Sequence, residues 1–153
     1  TFNNISANAE IYGHLYNSMA ATDARLLAPQ GWHVPTDEEW MELELYLGMN
    51  ASEVTDTDWR GSDEGGKLKE AGTSHWNEPN QGATNSFGFS ALPGGYRSDP
   101  PGGGPNYSSA GAWCYFWSSS SSAWCRVLAS QNSQISRFIA EPGSGFSVRC
   151  VKD

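Results

Sequence analysis

From His75 to Pro105, glycine, asparagine and proline recur so closely that little room remains for regular secondary structure. Each favours turns for its own reason: positive φ for glycine, local side-chain hydrogen bonds for asparagine, a locked φ for proline. A loop of that length inside a compact domain is uncommon and usually carries function. The whole chain shares the bias, with 17 Gly and 8 Pro in 153 residues, which argues against a helical bundle. Its 7 Trp, 6 Tyr and 6 Phe argue equally against disorder. The length predicts one domain, 1–153, able to bury a core without help from metal or disulfides.

Charge narrows the partners. Residues 1–78 carry a net charge of -10 and residues 79–153 one of +2. An acidic half beside a nearly neutral one lacks the Lys/Arg stripe that phosphate binding requires, so no nucleic-acid partner is expected. No apolar run reaches the roughly 20 residues of a membrane span, so no membrane insertion is expected. No stretch reads as a signal peptide, and the first residue is Thr1, as in a mature or excised segment.

The clearest element starts at Thr36-Asp37-Glu38-Glu39, a capping box with Thr36 as N-cap and Glu39 reaching back to it. Trp40, Leu43 and Leu47 follow on one helical face, and Gly48 stops the helix. Upstream, Ile11, Leu15 and Met19 have helical spacing within Glu10 to Leu27, although Ile11 to Tyr16 also suits a short strand. Lys67 to Ala71 reads as one short helical stretch ended by Gly72. Trp113 to Trp117 and Trp124 to Leu128 are β-rich, and Phe146, Val148 and Cys150 alternate with Ser147 and Arg149. Helices first and strands afterwards predict an α+β domain with a mainly antiparallel sheet.

The stretch from Gly31 to Trp40 (Gly-Trp-His-Val-Pro-Thr-Asp-Glu-Glu-Trp) resembles a bacterial family, the Fibrobacter succinogenes major paralogous domain. The resemblance begins at Gly13-His14-Leu15-Tyr16-Asn17 and runs through Gly66 to Glu70, His75-Trp76-Asn77 and Gly82 to Asn85. It continues through Gly88 to Arg97, then Trp117, Trp124, Arg126, Leu128 and Arg137, and closes with Gly145 to Asp153. It implies a C-type-lectin-like, formylglycine-generating-enzyme-like single domain with two helices, a small antiparallel sheet and long loops. It also implies a module at the cell surface or secreted, with a phage virion as the alternative. The family often carries a cysteine before its Gly-Trp-His motif that would pair with the closing one. Here Ala28 stands at that place, which leaves Cys150 unpaired as a small buried hydrophobe.

Chemistry is sparse. Glu78-Pro79-Asn80 matches the tripeptide with which calcium-dependent lectins hold calcium and a sugar, but the Trp-Asn-Asp segment that usually completes such a site is missing. A loop-shaping turn is the favoured role, and the expected cofactor is none, with calcium as the one candidate. Cys114 and Cys125 could bridge if their strands are neighbours, or mimic the copper-binding pair of the related oxidases. His14, His33 and His75 stand apart, no metal cluster or catalytic constellation emerges, and no enzyme activity is expected.

The region 107–144 carries the functional expectation. Trp113, Trp117, Trp124, Arg126, Leu128 and Arg137 read as scaffold. Between them stand residues largely reachable from asparagine codons by changing adenines alone, with Gln131, Gln134 and Glu141 as exceptions. The pattern resembles the variable regions of retroelement-diversified proteins, which sit late in C-type-lectin-like folds. The implied ligand-contacting residues are Tyr107, Ser109, Ala112, Cys114, Phe116, Ser119, Ser120, Ser121, Ser122, Cys125, Val127, Ala129, Gln131, Ser133, Ser136, Phe138, Ile139, Ala140 and Glu141. They would form one outward face, rimmed by the loop from Trp76 to Asn85, that binds a protein or glycan on another surface. A fixed-ligand adhesin or glycan-binding lectin is the first alternative and a formylglycine-generating-enzyme-like oxidase the second.

Overall fold

The computed structural model describes residues 2–23, 25, 27–101 and 103–153. Its principal helix, labelled α3 after two shorter ones, spans Asp37–Tyr46 and begins at the predicted capping box. Thr36 accepts from the Glu39 amide, and the Glu39 carboxylate accepts from the Thr36 amide. The buried face is not wholly apolar. Asp37, Trp40, Glu44 and Leu47 all point inward, so two carboxylates share the face with a tryptophan and a leucine.

Those carboxylates meet arginines from three strands. Glu44 accepts Arg60 through both oxygens, at 2.9 and 3.0 Å, and Arg126 Nε at 2.6 Å. Asp37 accepts Arg126 at 2.6 Å and Arg137 at 2.6 Å, while Arg137 also donates to the Thr55 carbonyl. All five side chains are buried. Burial alone would raise the Asp37 carboxyl, but Arg137 and Arg126 prevail and hold it below the ordinary aspartate value.

The strands are β1 (Trp32–His33), β2 (Asp58–Arg60), β3 (Gly94–Ser98), β4 (Asn106–Ala110), β5 (Trp113–Trp117), β6 (Trp124–Ala129), β7 (Ile135–Ile139) and β8 (Val151–Lys152). Six of them form one sheet in the order β2-β7-β6-β5-β3-β4, antiparallel except where β3 meets β5, and β1 pairs with β8 separately. The α+β class is therefore as expected. Cys114, Phe116, Leu128 and Ile135 face α3, together with Trp76 and Ala91 from the long loop. Trp117, Cys125, Val127 and Phe146 lie in a second core on the other face.

Several sequence expectations need correction. The strand expected from Phe146 to Cys150 is only a set of isolated bridges at Gly145, Phe146 and Ser147 with β8 beyond it, and among the described residues four α-helices stand where the resemblance implied two. The helix proposed from Glu10 to Leu27 is instead two short ones, α1 (Ser6–Tyr12) and α2 (Ser18–Ala21). Gly13 leaves helical geometry at φ 74°, and Tyr16 pairs with Phe146, so Ile11 and Met19 share no buried face. The short helix after residue 66 lies earlier, as α4 (Glu64–Leu68), and its Gly65 and Gly66 pack where a Cβ would strike the carbonyls of Gln134 and Gly82. The middle loop also contains β3, which the glycine-rich spacing concealed.

Two further polar contacts tie the ends of the fold. Lys69 is fully buried and donates from Nζ to the carbonyls of Gln81, Ala129 and Asn132, at 2.9, 2.8 and 2.9 Å. Burial pulls its pKa down to about 8. His33 lies between Asp153 and Glu39, 2.7 Å from each, and both partners raise its pKa, Asp153 most. A raised folded-state pKa adds stability that is complete below the ordinary histidine value, about 6.5. That stability is lost as pH rises through the raised value. His33→Gln is therefore expected to flatten the fall in urea-unfolding midpoint just above pH 6.5, and an unchanged pH profile would exclude this linkage.

Candidate functional site

The outer face of the sheet, away from α3, is where the region 107–144 meets the rest of the chain. One cross-strand row there runs Trp59, Ser136, Val127, Tyr115 over β2, β7, β6 and β5. Trp113 stands opposite Ala129 in the same sheet. The backbones of β2 and β5 are about 14 Å apart, three strand spacings. Yet the rings of Trp59 and Trp113 approach to 5.8 Å. They do so by leaning across the small side chains between them, which explains why Val127, Ala129 and Ser136 are buried.

The aromatic surface continues from there. Trp113 and Tyr115 are nearly parallel, at 16° and 6.1 Å, and Tyr115 meets Tyr96 at 5.1 Å. Trp59, Trp113, Tyr115 and Tyr96 are each half-buried, and Phe146 stacks on the Tyr115 ring at 4.8 Å. Burial and the neighbouring Tyr96 push the Tyr115 phenol well above its ordinary range, so it stays a neutral hydroxyl. Toward the other end the same face closes. Phe146 stacks on Trp117 at 4.4 Å, Ala21 and Val34 join that core, and Trp117 donates to the Tyr16 carbonyl.

The expected contact residues do not form one face. Cys114 and Phe116 point to the α3 side, where Phe116 packs against Trp40 and Phe89. Cys125, Val127, Ala129, Ser136 and Ala140 are buried as well. Contact roles for these seven, and an exposed Phe116, are corrected accordingly: both faces of the central strands are covered, one by α3 and one by aromatic rings. Phe138 is half-buried, while Ile139 is 58% exposed.

The remaining candidates divide by position. Ser119, Ser120, Ser121 and Ser122 turn between β5 and β6, beside Ile139 and Glu141, where Ala140 donates to the Ala123 carbonyl. Gln131 and Ser133 occupy the β6–β7 turn at the opposite end, with Ala112 in the turn before β5. Tyr107 and Ser109 lie on the edge strand β4. Trp113, read as scaffold, packs against the outer core and is half-exposed as well, and Trp59 lies beside it although no sequence signal marked it. Trp117, Arg126, Leu128 and Arg137 are buried scaffold, and Trp124 stacks under the Arg137 guanidinium at 3.6 Å.

The loop from Trp76 to Asn85 packs on the inner side. Trp76 is buried with its indole on the Ala91 carbonyl, and Gln81 bonds Ser130. The amide of Asn80, in the tripeptide weighed for calcium, donates to the Glu70 and Gly72 carbonyls and so shapes that loop. Among the described residues no group of three or more His, Cys, Asp or Glu is placed to hold a metal ion.

The cysteines do not pair. β5 and β6 are neighbours, but Cys114 stands opposite Leu128 and Cys125 opposite Trp117, with the two thiols on opposite faces of the sheet. Burial pushes the Cys125 thiol up to about 12 and Cys114 higher still. Cys150 is half-buried rather than enclosed.

This geometry defines an α+β domain with a buried charged clamp on one side of its sheet and an open aromatic surface on the other. A family model, the Fibrobacter succinogenes major domain, matches residues 1–152, and the chain belongs to that family. No curated protein and no solved structure matches it. In a dithionitrobenzoate titration of the native protein, Cys150 is expected to react alone, with Cys114 and Cys125 joining only in denaturant. Immediate reaction of all three would contradict the burial described.

Proposed function

We infer that this chain is a ligand-binding surface module with a C-type-lectin-like fold, acting at the cell surface or in secretion, and that its ligand is a glycan. The observation that carries this is the open aromatic surface of Trp59, Trp113, Tyr115 and Tyr96. Flat, rigid rings supply apolar contact area at little entropic cost, and the Tyr hydroxyls supply polar handles. A pyranose offers the complementary pair, one apolar C–H face and a rim of hydroxyls. Trp113 and Tyr115 lie nearly parallel at the centre, and Trp59 and Tyr96 tilt against them by 53° and 58°. The opposed thiols of Cys114 and Cys125 speak against a copper-binding pair, so binding rather than oxidation is assigned.

A second reading keeps the diversified receptor but confines its variable residues. Ser119 to Ser122, Ile139 and Glu141 gather at one end of the sheet, outside both cores, with Ser120 Oγ accepting from the Asp37 amide at the start of α3. Burial of Val127, Ala129 and Ser136 under tryptophan rings counts against a variable surface spread over the strands.

Screening the protein against soluble oligosaccharides, with and without a chelator, tests the first reading. Binding indifferent to chelation is expected, weakened about tenfold or more by Trp113→Ala or Trp59→Ala, as losing a buried ring's contact implies. If those variants bind normally while Ile139→Glu and Ser121→Arg do not, the contact surface is the loop end and the second reading prevails.

A further inference from the structure

A groove of about 310 Å³ opens beside α3, on the opposite side of the molecule from the aromatic surface. Its apolar walls include Trp32, Trp40, Leu43 and Phe89, and the pairing of β1 with β8 brings Arg149 and Lys152 onto the same wall. That volume falls at the small end of the roughly 300–1,000 Å³ range of ligand pockets.

The charges are what single it out. The protein has 9 Lys and Arg side chains against a net charge of -8. Arg25, Arg60, Lys67, Arg97, Arg126 and Arg137 each pair with a carboxylate, and Lys69 is held by three carbonyls. Among the described residues Arg149 and Lys152 have no such partner, and both line this groove. The Arg149 guanidinium instead lies over the Phe89 ring, 4.6 Å from its centre, which anchors the cation at an apolar wall. The one carboxylate in the groove, Glu39, is already occupied by the Thr36 amide and His33.

We propose that this groove binds a small carboxylic acid with an aromatic or branched apolar body. The body enters between Trp32, Trp40, Leu43 and Phe89, and the carboxylate meets Arg149 and Lys152. Two uncommitted cations beside apolar walls in an acidic protein complement an amphipathic anion and repel nothing else such a ligand carries. The site is separate from the aromatic surface, so it stands or falls independently of the glycan assignment.

Titrating ¹⁵N-labelled protein with 3-phenylpropionate, and separately with its neutral amide, tests this through the indole N–H signals. Trp32 and Trp40 are expected to shift while Trp59 and Trp113 stay fixed. The acid is expected to bind about tenfold more tightly than the amide, the ratio one charged hydrogen bond supplies. In the Arg149→Gln, Lys152→Gln double variant that preference should vanish, with the unmoved Trp59 and Trp113 signals reporting an intact fold. Equal affinity of acid and amide for the native protein would overturn the proposal. So would shifts confined to Trp59 and Trp113, or none at Trp32 and Trp40 at millimolar ligand.

Discussion

Two carboxylates on one helix face, Asp37 and Glu44, hold three arginines from three strands, and the arrangement of both faces of the sheet follows from that contact. Arg60 comes from β2, Arg126 from β6 and Arg137 from β7, so a single helix fixes the relative register of half the sheet. The cluster carries three positive and two negative charges with little water around them. Such an assembly is tolerable only because nearly every lone pair and N–H is matched, and removing any member strands a buried charge. Charged residues are expensive to bury, but once matched they accept only one arrangement. An apolar helix face could slide over the sheet, whereas this one cannot without separating ion pairs.

Holding the sheet from within leaves its other face free. The outer side needs no helix over β2 and β7 because Trp59 and Trp113 cover the central strands themselves. The same rings that seal the core are thereby half-open to solvent, and packing and recognition share one set of side chains. Lys69 adds to the rigidity by gathering the Gln81 loop and the β6–β7 turn around one ammonium group. A platform so supported meets a ligand already organised, with little ordering entropy left to lose on binding.

The sequence made some of this readable and concealed the rest for identifiable reasons. The capping box at Thr36 is a local signal and located α3 correctly, and the aromatic runs located β5 and β6. Nothing local marks Asp37 and Glu44 as buried, because their partners lie far along the chain, Arg137 a hundred residues beyond Asp37. Lys69 was opaque for a related reason, since its acceptors are backbone carbonyls that leave no trace in residue type. The alternation in 113–139 showed which residues share a face but not which face water reaches. The expected contact face mixed Cys114 and Phe116 from the α3 side with Cys125, Val127 and Ser136 from the other, and all five are buried. Trp59, on a three-residue strand within an acidic, turn-rich stretch, offered no pattern at all.

The claim most open to direct test is that the buried acid–arginine cluster clamps the helix to the sheet. Urea unfolding of Glu44→Gln measures it, because Glu44 is fully buried and is shared by Arg60 and Arg126. Loss of about 3–5 kcal/mol is predicted, the cost of leaving buried charges without their partner. A loss below about 1 kcal/mol, the range of an exposed ion pair, would contradict the account.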